Sequence, residues 1–157
     1  MLTLQKSWMY LENIFSSQEI KRVLGPENSM FEKINQFFCN QMQLADKMQY
    51  AHKYLARNQK PPLTQLLKFN NEQVDYIMKQ LANFLETKRT EFARFSFLSD
   101  DELLEILAKQ SDPHAIQGFL KQLFDGLFRL KLSETNDSTA MISREGEEIE
   151  FKRAVKH

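Results

Sequence analysis

The residue types best suited to chemistry lie between 88 and 107, in KRTEFARFSFLSDDELLEIL. There Lys88, Arg89 and Arg94 run directly up to Asp100, Asp101, Glu102 and Glu105. Carboxylates grouped beside cations are raw material for general acid–base catalysis or for a divalent-cation site. Either use requires a histidine, a second acidic pair or a phosphate loop at matching spacing, and none accompanies them. His52, His114 and His157 are scattered, and there is no Gly-rich phosphate loop, GxSxG elbow or HExxH helix. The cluster has a simpler use: Ser99 opens SDDE, a capping box with Glu102 at the third helical position. Acids in a first helical turn also meet unpaired N–H groups and the positive end of the macrodipole. No catalytic, cofactor-binding or metal-binding residue is therefore assigned.

The basic and aromatic half of the stretch has two readings. Arg94 among Phe92, Phe95 and Phe97 has the composition of a nucleic-acid stacking platform. Lys plus Arg and Asp plus Glu are equal at 21 each, however, which leaves no long-range positive field to gather phosphates or anionic lipid. The phenylalanines read instead as core anchors on an extended segment over 92–98, because Phe95 and Phe97 alternate with Arg94 and Ser96. Arg94 then pairs with a carboxylate or caps carbonyls of the preceding helix. Cys39, the single cysteine, follows Phe37 and Phe38 and reads as a small buried hydrophobe. It cannot form a disulfide or a cysteine cage within one copy, which suits a reducing compartment.

These groups must be positioned by helices. Trp8, Leu11 and Phe15 recur at helical spacing, and SSQE (Ser16 to Glu19) predicts a capping box that restarts a short helix through Leu24, ended by Gly25-Pro26. Phe31, Ile34, Phe38, Met42 and Ala45 line one face of a longer helix, and the polar NQKPPL tract (Asn58 to Leu63) is a connector or helix start. Val74, Ile77, Met78, Leu81 and Leu85 form the clearest amphipathic stripe, on a helix ending near Arg89. Leu103, Leu104 and Leu107 follow the Ser99 cap. Ser111-Asp112-Pro113 starts another helix, with Ile116, Phe119, Leu120, Leu123 and Phe124 as its stripe. Gly126 is placed to end it with positive φ. Beyond it, alternation and the turn at Gly146 predict two or three short strands.

With 157 residues and 42% hydrophobic content, the chain reads as one globular, mainly α domain, 1–157, helical over 1–125 and strand-forming over 126–157. The N-terminus lacks a basic region followed by an apolar run, and no stretch approaches the roughly 18 apolar residues of a membrane span. These features read as a soluble, unexported chain without nucleic-acid or membrane partners.

The order of segments resembles the linker region of dynein heavy chains. WMYLENIF (Trp8 to Phe15) fits that family's W-x-Y-L-E-x-I-F opening, and SSQEI and GPENSMFEKIN follow it. LANFLETKRTEFARFSFLSDDELLEIL (Leu81 to Leu107) resembles the family's most recognisable block, and DPHAIQGFLKQLFDGLFRL and ISREGEEIEF resemble its continuation. The matching positions include Trp8, Leu11, Glu12, Phe15, Phe92, Arg94, Phe95, Phe97, Ser99, Leu103, Leu104, Phe124 and Gly126. Ala93 stands where the family usually has proline, and the stretch from Gln41 to Lys68 carries none of these patterns.

The resemblance implies a piece of the helical lever that arches over a ring of ATPase modules, bends with the nucleotide cycle and carries force to the tail. ATP and Mg would be bound by ring modules elsewhere in the parent chain, and microtubules and other dynein subunits would be met only through that parent. The segment's own partners would be ring modules of the same heavy chain. FARFSFL is then expected to be a packed strut, and Glu147 and Glu148 in REGEE either face a basic surface of the ring or are solvated turn charges. IFSSQEI is similar to axonemal chains and ISREGEEIEF to cytoplasmic ones, so the implied location is the cytoskeleton of the cytoplasm or of a cilium or flagellum. The rival reading is a free-standing helical adaptor that binds a partner helix through its Phe and Met stripe.

Overall fold

The structure is a computed structural model that describes residues 1–57, 60–109 and 112–156. Asn58 and Gln59 of the proline-containing tract, Ser111 of the Ser111-Asp112-Pro113 start signal and His157 lie outside the described residues. The chain is mainly helical and closes with a three-stranded antiparallel sheet. It divides into two compact units, Met1–Phe84 and Leu85–His157.

The first unit holds α1 (Leu2–Ile14), α2 (Gln18–Val23), α3 (Gly25–Met48), α4 (Ala51–Leu55) and α5 (Leu63–Glu91) as far as Phe84. The aromatic positions of the first motif do packing work. Trp8 stacks on Phe38 with centroids 4.6 Å apart and donates its indole N–H to Asn35 Oδ1 at 3.1 Å. Phe15 stacks on Phe31 at 5.2 Å, while Glu12 is exposed. Burying such rings removes large apolar area from water and fixes α1 on α3. Val74, Ile77, Leu81 and Leu85 of α5 are buried and Met78 is half-buried, as the stripe predicts.

Three expectations in this unit are corrected. The cap of α2 is Ser17, with no side-chain cap hydrogen bond, and Ser16 Oγ instead donates to Asn13 O at 2.7 Å, so SSQE forms no capping box. Gly25 and Pro26 do not merely stop α2; they are the first residues of α3, where proline's missing N–H would be unpaired anyway. Cys39 is exposed, its Sγ 3.4 Å from Asn35 Oδ1, because one residue beyond buried Phe38 turns about 100° around the helix onto the outer face. The buried polar residue of α3 is Gln41.

The second unit takes the end of α5 and adds α6 (Asp100–Ala108), α7 (Pro113–Leu123), β1 (Arg129–Leu132), β2 (Ser138–Ile142) and β3 (Glu148–Val155). The strands pair in the order β1-β2-β3, with Leu130 opposite Met141 and Met141 opposite Ile149. Gly146, at φ 88, makes the turn between β2 and β3. Gly126 does not use left-handed geometry: α7 ends because Phe124 turns extended, at φ −138 and ψ 123.

Candidate functional site

The acidic cluster is a helix start, as its spacing predicts. Glu102 N–H donates to Ser99 Oγ at 3.3 Å, and Ser99 N–H and Oγ–H both donate to Glu102 Oε2 at 2.9 Å. Glu102's other oxygen, Oε1, accepts from Gln122 Nε2 of α7 at 3.0 Å. These bonds hold the Glu102 carboxyl below the ordinary glutamate range, the Ser99 backbone N–H contributing most, then Gln122, then the Ser99 hydroxyl. One carboxylate thus caps α6 and ties it to α7. Asp100 has a separate partner: Arg89 donates to its Oδ1 at 2.6 Å, to Glu86 at 2.9 Å and to the Leu98 carbonyl at 3.2 Å. The Asp100 hydrogen bond is the main cause of a raised Arg89 pKa.

The segment between α5 and α6 differs from expectation. Residues 92–98 are not an extended strut; Ala93–Phe97 is a 3-10 turn, closed by Phe95 N–H to Phe92 O at 2.9 Å and Leu98 N–H to Phe95 O at 3.1 Å. A three-residue period sends Phe95 and Phe97 in different directions. Phe95 is half-buried against the edge of Phe92 at 4.9 Å, Phe97 is 69% exposed, and the anchor is Leu98 at 4%. Arg94 caps α7, not the helix that precedes it: it donates to Leu123 O, at the end of α7, at 2.8 Å and lies 4.6 Å from the Phe124 ring centroid.

Gln117 ties α7 to the sheet. Its Nε2 donates to Leu130 O at 3.0 Å and its Oε1 accepts from Leu130 N–H at 2.8 Å, so its amide occupies the outer edge of β1 as a neighbouring strand would. Sequence reasoning passed over Gln117 and Gln122, whose only signal was an amide flanking the apolar stripe of α7. Of the REGEE carboxylates, Glu148 is held by Lys131 Nζ at 2.6 Å, which raises the Lys131 pKa, and Glu147 is exposed with no ion-pair partner among the described residues. Leu103 and Leu104 are buried beneath the cap, and Phe124 is half-buried. Among the described residues no group of His, Cys, Asp and Glu is placed to hold a metal ion, and no helix is long and apolar enough to cross a membrane.

The pattern described as dynein heavy chain, N-terminal region 2, matches residues 1–157. The chain belongs to the dynein heavy chain family. It is 38% identical over 160 residues to mouse dynein axonemal heavy chain 2, covering 98% of this chain and 4% of that one. Rat dynein axonemal heavy chain 1 is 38% identical over 154 residues, covering 98% and 3%. The human dynein axonemal heavy chain 1 is 40% identical over 152 residues, covering 96% and 3%. This dynein segment therefore spans only a few per cent of the length of these relatives. Its tied helices and sheet belong to the family's N-terminal region.

Proposed function

We propose that this segment is part of the dynein linker, the mechanical element that spans the ATPase ring and bends with the nucleotide cycle to drive microtubule-based movement. The observation that carries the reading is the set of polar ties at the junctions of the second unit. Arg89 joins α5 to the start of α6, Glu102 joins α6 to α7, Arg94 holds the 3-10 turn on the end of α7, and Gln117 holds α7 on β1. Packed elements with fixed junctions resist deformation and pass displacement onward, as a lever requires. The segment catalyses nothing itself; ATP and Mg act in ring modules of the same heavy chain, which are also its partners. Microtubules and other dynein subunits are reached through the parent chain. Its place is the cytoskeleton, and the names of its relatives favour the axoneme.

The test places a fluorescent residue at position 39, which is exposed, and a second on the ring of a full-length heavy chain. Transfer efficiency should change between nucleotide-free and ADP·vanadate states. A constant efficiency with intact ATPase activity would overturn the lever reading and leave the free-standing adaptor.

A further inference from the structure

An open cleft lies wholly within the second unit, between the end of α7 and the sheet. Its volume is about 420 Å³. The apolar lining comes from Phe124 and Leu127, just beyond α7, and from Met141 and Ile149, which stand directly opposite one another on β2 and β3. Phe124, Leu127 and Met141 are half-buried and Ile149 is 52% exposed, so the lining is reachable from solvent.

The walls of the cleft are fixed. On one side Arg94 donates to Leu123 O at 2.8 Å and covers the Phe124 ring. On the other, Ser143 closes the β2–β3 turn: its N–H donates to Glu147 O at 2.9 Å and its Oγ accepts from Glu147 N–H at 3.0 Å. Glu147, itself exposed, is thereby held at the rim, and Asp125 supplies a second exposed carboxylate. Neither acid is in an ion pair among the described residues. Arg94, the one cation among the lining residues, is already engaged by the Leu123 carbonyl and the Phe124 ring.

We infer that this cleft docks a polypeptide segment that presents a leucine or phenylalanine side chain beside a lysine or arginine. The apolar side chain covers Met141 and Ile149, and its cationic neighbour meets Glu147 and Asp125. An apolar centre inside a charged rim of opposite sign is the arrangement that protein interfaces use for contact and for register. A small-molecule site would need buried polar groups converging on the ligand, and no polar side chain lining the cleft is buried. The two free carboxylates repel nucleic acid and anionic lipid. The inference rests on the cleft alone and is independent of the lever reading.

The test is fluorescence anisotropy on the whole chain with a labelled peptide of alternating lysine and leucine. Parallel arms replace every leucine by serine, or every lysine by glutamate. Binding of the lysine–leucine peptide should weaken about fivefold in E147K and about threefold in I149S, and should fall as salt rises. E134K makes the same charge change at a residue that does not line the cleft and should bind as the parent does. Circular dichroism should show each variant folded, and E147K, at an exposed turn, tests the site even where I149S does not fold. In methyl NMR the Met141 and Ile149 resonances should shift on peptide addition, while that of Ile34 on α3 should not. No binding by the parent, binding that survives E147K, equal loss in E134K, or equal binding of either substituted peptide would each overturn the assignment.

Discussion

Arg94 reaches forward 29 residues to donate to the Leu123 carbonyl at 2.8 Å, and its guanidinium covers the neighbouring Phe124 ring. The contact closes the C-terminal end of α7, where unpaired carbonyls and the negative end of the dipole welcome a cation. Arg94→Ala should cost about 1 to 3 kcal/mol in urea unfolding. Arg94→Lys should recover only part of this, because a point charge keeps the dipole interaction and loses the planar stacking. Equal stability of all three proteins would contradict the contact's role.

Leu98 and Phe97 should behave oppositely despite being neighbours. Leu98→Ala opens a cavity at a position 4% exposed and should cost about 2 to 5 kcal/mol. Phe97→Ser, at 69% exposure, should change stability by about 0.5 kcal/mol or less. A larger loss for Phe97 in the same denaturation series would restore the packed strut.

What the sequence reveals here depends on how far away each residue's partner is. Ser99 and Glu102 satisfy one another within a single turn, so their spacing alone announces the cap. The stripe of α5 is long enough for its period to be unambiguous. FARFSFL is too short for that, since alternating phenylalanines fit a strand and a 3-10 turn equally, and only the ties of Arg94 and Arg89 decide between them. Gln41, Gln117 and Gln122 find partners 13 or more residues away, on other elements, and an amide among apolar residues does not say whether it will be buried, bonded or solvated. The dynein pattern placed the segments in order; it did not mark these amides.

Gln117→Ala should expose the effect of the β1 edge contact. Both lost bonds leave part-buried Leu130 groups unpaired, at a cost of about 1 to 3 kcal/mol. Hydrogen exchange of the Leu130 amide should speed up more than that of Met141 on the central strand. Gln117→Glu should be worse than alanine, because a carboxylate cannot donate to the Leu130 carbonyl and repels it. Unchanged Leu130 exchange in both variants would contradict the contact.

Acid should loosen the α6 cap. The folded Glu102 pKa is lowered, so its contribution is present above the unfolded value, about 4.3, and is lost as pH falls through the folded value. Glu102→Gln should remove this part of the pH dependence, so that parent and variant converge in urea midpoint between neutral pH and pH ~3. A constant difference across that range would contradict the assignment.

The lever function proposed above has this region transmit force without contributing to catalysis. The most direct measurement is microtubule gliding velocity alongside ATP turnover in a full-length dynein heavy chain carrying Arg94→Ala with Gln117→Ala. The account predicts slower gliding at near-normal ATP turnover, hence less sliding per ATP consumed. Gliding and turnover that both stay at parental values in the folded variant, or turnover lost in proportion to gliding, would contradict it.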